Sequence, residues 1–543
     1  MKKRIFYSFI SLLCIFFFVS CSDSKKSEGT PALAVGKKEV VNKEYLKVLP
    51  SDALAILKVD LGNILVKSDV LNHIFVKAAI EKETAEAPEN VKSILKKVLN
   101  NPNASGINMN APVYAAMLDV EPVKMVITLA IGDVNAFEKT LSTLSNDQFV
   151  PVEKGGMKYI ADESEGCVAY DSNKLVAVVN VSGWGADVAD YASLPADRMA
   201  MNDKKYASLF SEDDDVAISV NLETAMQMLV VQGVIESDMM PVVAMLKDFP
   251  FYIALDFENG YADLKANVGV SPEYKSLVDK LIRKPNHTHF GYVPGNSLAV
   301  LNYNFDLTQL FPILKSSGLM NELNANGISD ENAKQILAAL SGELTGAIWL
   351  EDGDDEKPLF MAAVECSDRS IFDLVIAYLQ YEMGATIVGD DVYELYVTTR
   401  EEYNYYTGEY DVVKEGLGYY VMYKNNSIMI MPESLYYSLD NNGNFAQLGN
   451  SAKSNSTYAS MNNNLVVDVE PIRSILTENV RNSYYGPSEE ETIALEVINM
   501  FKSLTVDFNL YNLDIRLNLK NDKVNSLKCV VDKVLGFAAR YMK

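Results

Sequence analysis

Three histidines, 73 acidic residues and five cysteines are what this 543-residue chain has for proton transfer, metal binding or nucleophilic attack. Their spacing decides how far each can go. His287-Thr288-His289 alternates, so in a strand both rings would face one side and could share a metal. Two ligands lack the third that a metal centre needs, and the pair reads instead as a linker between two halves of the chain. His73 falls on an apolar-periodic segment and reads as an ordinary helix residue. Glu212-Asp213-Asp214-Asp215 and Glu351-Asp352-Gly353-Asp354-Asp355-Glu356 gather oxygen ligands without the alternation of an EF-hand, so both read as solvated acidic turns. Beyond residue 21 the cysteines are Cys167, Cys366 and Cys529, each beside an apolar run. They read as buried free thiols, with one disulfide and a leftover thiol as the alternative. No HExxH, GxSxG, Walker or GxGxxG pattern stands in a fitting context. Paired carboxylates for glycoside hydrolysis are available in so acidic a chain, but nothing singles out a pair. The sequence therefore assigns no catalytic residue, no metal and no cofactor, and leaves enzymatic activity open while leaning against it.

Tyrosine is the residue type whose placement points to recognition. Tyr393, Tyr396, Tyr403, Tyr405, Tyr406, Tyr410, Tyr419, Tyr420 and Tyr423 are nine of the chain's 30 tyrosines, within about thirty residues. Tyrosine offers apolar area and a hydroxyl at low entropic cost, so a protruding Tyr-rich hairpin suits a protein or sugar ligand. Tyr403, Tyr405, Tyr406 and Tyr410 form the candidate binding surface, with Thr407-Gly408 at the tip. The alternative is that alternate tyrosines merely cover an extended hairpin.

The N-terminus carries an address. MKKR is followed by the apolar run Ile5 to Val19, then Ser20 and Cys21, the pattern of a lipoprotein signal with Cys21 as the acylated residue. The run falls short of the roughly 20 apolar residues of a spanning helix. Cys14 is a poorer candidate because FFFV would then follow the lipid. Residues 21–46 lack an apolar period and read as a tether, with a reach of roughly 25 Å as a flexible coil.

With 48% hydrophobic and 22% charged residues the remainder can bury more than one core. The formal charge is −25, and three cations, Lys2, Lys3 and Arg4, lie in the leader, so the rest carries −28. Lys and Arg form no basic stripe, which excludes a nucleic-acid binder and disfavours anionic lipid surfaces.

Internal repetition sets the architecture. LPSDALAIL (Leu49 to Leu57) returns as VPGNSLAVL (Val293 to Leu301), and IGDVNAFEKTLSTL (Ile131 to Leu144) as ECSDRSIFDLVIAYL (Glu365 to Leu379). VAYDSNKL (Val168 to Leu175) returns as VMYKNNSI (Val421 to Ile428), and LVDKLI (Leu277 to Ile282) as VVDKVL (Val530 to Leu535). The offsets run from 235 to 253, so the chain reads as two copies, 47–286 and 287–543, the second with about eighteen extra residues near 391–418. Each copy predicts a strand at Ala53 to Asp60, a helix over Leu61 to Lys77, paired strands, a helix capped by Asp133, a meander turning at DSNK, and a final helix from Ser271 to Arg283. The expected fold is α+β: two tandem copies of a mostly antiparallel sheet with helices packed on one face.

The FVSCS junction, LPSDALAIL with its VPGNSLAVL echo, and the GMKYIA and CVAYDSNKL meander resemble the uncharacterised Bacteroidetes-type lipoproteins built on domain of unknown function 4836. That resemblance implies an envelope lipoprotein with no assigned activity and no catalytic residues. The expectation is a lipid-anchored, non-catalytic binding or scaffold module on the outer membrane, facing the periplasm or the cell surface, with the membrane and a protein or glycan as partners. An envelope hydrolase using acidic residues and a carrier of lipid or apolar ligand are the alternatives.

Overall fold

The alternation at Ala53 to Asp60 becomes strand β1 (Ala55–Val59), which buries Ile56 and Lys58 on one face and exposes Leu57 on the other. Asp60 ends it, its carboxylate accepting from the Asn63 N–H at 2.9 Å to start helix α1 (Leu61–Ser68). The single helix expected to Lys77 breaks at Asp69, which takes a left-handed conformation (φ 54°), and resumes as α2 (Ile74–Glu83). Ser68 Oγ accepts from the Val70 N–H at 3.3 Å, so a local side-chain bond competes with the helical ladder there. The computed structural model describes residues 43–541 except 84, 86–87, 121–122, 146–149, 160–166, 181–187, 193, 232, 234–249, 317–318, 326, 352–356, 405, 407, 442–443, 463 and 483–485. Cys21 and its junction lie outside the described residues.

The protein is α+β with a large antiparallel sheet, divided into two compact units: Met1–Gly269 with Asn521–Lys543, and Val270–Lys520. The first unit adds β2 (Val113–Val120), β3 (Val123–Ala130), α3 (Val134–Leu144), β4 (Val152–Lys154), β5 (Met157–Tyr159), β6 (Cys167–Tyr170), β7 (Lys174–Asn180), β8 (Val216–Asn221), β9 (Pro250–Glu258) and β10 (Tyr261–Val268). Its strands pair antiparallel in the order β10-β9-β8-β1-β2-β3-β7-β6-β5-β4.

The second unit holds α4 (Pro272–Leu281), β11 (Ile282–Arg283), β12 (Ala299–Phe305), β13 (Gly342–Leu350), β14 (Pro358–Glu365), α5 (Arg369–Met383), β15 (Thr386–Gly389), β16 (Val392–Asn404), β17 (Glu409–Lys424) and β18 (Ser427–Pro432). A small hairpin follows, β19 (Asp440–Asn441) with β20 (Asn444–Phe445), then β21 (Asn464–Asp468), β22 (Phe501–Phe508) and β23 (Asn512–Leu519). The order is β23-β22-β21-β12-β13-β14-β18-β17-β16-β15, again antiparallel.

Part of each sheet is covered on both faces, which corrects the expectation of cover on one face alone. Phe137 and Leu141 of α3 pack on Leu129 and Leu175, while Val126, Val176 and Val178 point into a separate core with Tyr45, Leu194 and Tyr206. The reason is in the strands: KLVAVV is apolar at successive positions, so both pleat directions need cover. In the second unit Phe372 and Ile376 of α5 meet Val421, Tyr393 and Ile430, and Met422, Met429 and Met431 face the opposite core.

The compact units are cut at different places from the expected copies. Helix α4, expected to close a first copy, packs in the second unit, where Tyr511 donates to Asp279 at 2.8 Å and Asp306 N–H to the Leu281 carbonyl at 2.7 Å. The helix Ser526–Tyr541, expected to close a second copy, packs in the first unit, Leu535 against Phe75 and Val76, with Lys528 on Asp69 at 2.9 Å.

Candidate functional site

The second unit contains an array with the outline of a catalytic chain. The segment holding His287 and His289 is not a strand, so the two rings part. His287 stacks on Phe290 at 4.5 Å between centroids and its Nε2 lies 2.8 Å from the Met461 carbonyl. His289 turns inward, Nε2 at 3.0 Å from Ser427 Oγ and Nδ1 at 3.2 Å from Thr345 Oγ1, which lies 3.5 Å from Glu343 Oε1. Hydroxyl, imidazole and carboxylate in hydrogen-bond reach resemble an activated nucleophile with its base and orienting acid. Burial defeats that reading: Ser427, His289, Thr345 and Glu343 are each 0% exposed, so no substrate reaches the hydroxyl. The array is a buried network that specifies packing. Among the described residues no group of three His, Cys, Asp or Glu side chains is placed to hold a metal. Cys366 and Cys529 are free thiols.

Burial pushes His289 down to about 4, against the opposing pull of Glu365. The unfolded chain, with histidine near its ordinary 6.5, therefore takes up the proton first as pH falls. The stability held by neutral His289 is complete above about pH 6.5 and drains away between there and pH 4, about 2 kcal/mol of it between pH 7 and 5. Glu343 is shifted the other way, raised by burial, so its own cost eases as pH falls. Comparing the chain with His289→Gln removes that background. Urea midpoints should show the advantage of histidine over glutamine shrinking by about 2 kcal/mol from pH 7 to 5. A constant advantage would place a charged, solvated imidazole at this position.

The acidic run before β8 corrects the expectation of a solvated turn. Glu212 and Asp213 are exposed, but Asp214 and Asp215 are buried. Strand β8 sits between β1 and β9, so pairing draws its leading residues under the sheet's end. Asp215 Oδ2 accepts from Lys67 Nζ at 2.7 Å and from the Phe257 N–H at 2.8 Å, and Lys67 also reaches Glu258 at 3.0 Å. Tyr252 donates to Asp214, and buried Lys58 donates to the Glu212 carbonyl at 2.5 Å. These charges are spent on each other. In the second acidic run, 352–356 lie outside the described residues.

The tyrosine-rich segment is a hairpin, as its sequence predicts. β16 and β17 pair from Val392↔Met422 to Asn404↔Glu409, with an irregularity between Tyr396 and Thr398. β18 covers only 419–424 of β17, and β15 only the first residues of β16, so the outer part extends past its neighbours as a two-stranded ribbon. Gly408 supplies the left-handed turn, φ 76°. The tyrosines divide along the ribbon. Tyr419 and Tyr420 are buried at its base, Tyr420 stacked on Tyr436 at 4.5 Å, and Tyr423 donates to the Cys366 carbonyl at 2.9 Å. At the outer end Tyr403 is 44% exposed and Tyr406 wholly exposed at 101%. Tyr403 stands opposite Tyr410 in the ladder. Tyr405 and the side chain of Tyr410 lie outside the described residues.

Sequence reasoning missed a second apolar surface in the same unit. On α5, Leu374, Tyr378 and Tyr381 are 68%, 64% and 86% exposed, on the side of the helix opposite Phe372 and Ile376. Their i, i+4, i+7 spacing was readable in IFDLVIAYLQY, but the inward Phe and Ile explain a helix by themselves and hide a second stripe.

The profile of the family described as domain of unknown function, DUF4836, matches residues 45–482. The chain belongs to the DUF4836 family. The matched DUF4836 region contains α3, α5, the hairpin and the buried array alike. Among curated proteins none matches. Solved structures similar to it are crystal forms I, IV and III of TP0453, at 13%, 14% and 13% identity and TM-scores of 0.23, 0.24 and 0.22. Each covers 44% of this chain, and 87%, 86% and 87% of the respective TP0453 chain.

Proposed function

We propose that this DUF4836 protein is a lipid-anchored cell-envelope module that binds a protein or glycan without catalysis, using the β16–β17 hairpin as its contact. The observation that carries the reading is the outer ribbon, where Tyr403 stands on the ladder and Tyr406 in its turn, both exposed beyond the neighbouring strands. Aromatic rings presented on a fixed backbone lose little entropy on binding. The anchor is read from the Cys21 junction, on the outer membrane with its periplasmic or surface face open. The body is read as a tandem duplication, supported by the same succession of pairings in both units. An apolar-ligand carrier is less well supported: a surface cavity of about 520 Å³ is lined by Asp197, Asn202, Asp203, Lys204 and Lys205, with only Ala196 apolar.

A photo-reactive phenylalanine analogue at position 403 or 406 of the full chain should give a discrete cross-linked product in cells. The same probe at exposed Val152 of the first unit should not. Equal yields at all three positions would remove the hairpin from the argument. External protease on intact cells separates the two faces: digestion means surface, protection until permeabilisation means periplasm.

A further inference from the structure

The outward stripe of α5 is not something the fold requires. Helix α3 of the first unit occupies the same place in its own sheet, starts from Asp133 as α5 starts from Asp368, and turns Phe137 inward as α5 turns Phe372. At the positions of Leu374 and Tyr378 it carries Lys139 and Thr143, and it ends at Leu144, before the position of Tyr381. One chain thus holds both versions of one helix, polar outside in the first unit and apolar outside in the second. An exposed apolar stripe confined to one of two matched helices marks an interface.

We propose that α5 pairs with α5 of a second copy of this chain, antiparallel across a two-fold axis near Tyr378. The face is self-complementary. Ser370, Leu374, Ala377, Tyr378 and Tyr381 make it, without a charge, and small Ser370 and Ala377 let another helix approach the larger residues. With the axis at Tyr378, Asp373 falls opposite Met383 and Glu382 opposite Leu374, so no like charges meet. A membrane is a poorer occupant, because a chain of charge −25 with Asp373 and Glu382 flanking the stripe is repelled by anionic headgroups. The stripe is narrow beside the roughly 800 Å² per partner of a standard interface, so the pairing is reversible and weak. It is independent of the hairpin and stands or falls apart from it.

The test places cysteine near the axis in the full-length chain in cells. Under mild oxidation Tyr378→Cys should give a disulfide-linked species of doubled mass, and Lys139→Cys on the matched helix should give none beyond the background of the native thiols. Sedimentation of the detergent-solubilised chain provides the second reading: Tyr378→Lys should weaken self-association at least tenfold with an unchanged melting temperature, since the residue is exposed. A monomer at all concentrations with no cross-link at 378 overturns the proposal. So does a fluorophore at 378 that shifts to the blue on phosphatidylcholine–phosphatidylglycerol vesicles while the chain stays monomeric, which would assign the stripe to lipid.

Discussion

Removing residues 526–543 unfolds the first compact unit and leaves the second folded, although by sequence the deleted helix ends the second copy. Leu535 is buried in one cluster with Phe75 and Val76, and Val70, Ile74, Ile80, Val531 and Ala539 pack against that cluster. Deleting the helix returns both apolar surfaces to water. At about 1.5–3 kcal/mol per large side chain the loss is on the order of 5–10 kcal/mol, comparable to the whole stability of a domain. One polar tie goes with it, Lys528 to Asp69 at 2.9 Å. Limited proteolysis followed by mass spectrometry should find cleavage within 43–269 and protection of 270–520. Leu535→Ala, a milder form, should cost about 2–5 kcal/mol in the first unit's transition. Protection of 43–269 with loss of β22 and β23 would show the helix belongs with its own copy.

The second large effect is expected at Asp215. Its carboxylate is wholly buried, and burial raises its pKa even with Lys67 against it; the pKa of Lys67 is raised, the carboxylates of Asp215 and Glu258 outweighing burial. The two shifts point to different balances for one pair. Burial prevails at Asp215, because it is 0% exposed and its Oδ1 has no hydrogen-bond partner. Asp215→Ala leaves Lys67 half-buried with only Glu258 and the Phe257 N–H unmet, at a cost of about 3 kcal/mol, the low end for breaking a buried pair. Asp215→Asn should cost much less, since it keeps an acceptor for Phe257 and removes the buried charge. Because the folded pKa is the higher one, the cost of the native carboxylate eases as pH falls through it, so the penalty of Asp215→Asn should grow in acid. Urea denaturation at pH 7 and 5 checks both. A change below about 0.5 kcal/mol for Asp215→Ala is what a solvated turn residue gives, and would falsify the buried pair.

Sequence by itself marked most strands of the first half and several signals in the second. Period-two alternation marked β1 and β12, Asp133 and Asp368 announced their helices, and Gly408 fixed the hairpin turn, because these signals act over a few residues and the chain obeys them locally. The family was legible too, from the repeated LPSDALAIL and VPGNSLAVL strands. What the sequence could not carry was anything set by the partner across a sheet. Asp215 looks like any acid in a polar run until β8 is placed between β1 and β9. Ser427 and His289 lie 138 residues apart and meet only when β13 and β18 flank β14. The placing of the last helix with the first unit, and the stripe left outside on α5, were likewise decided by tertiary structure. Local propensity selects a helix and its apolar faces, but which face is covered depends on the surface that happens to lie beneath it.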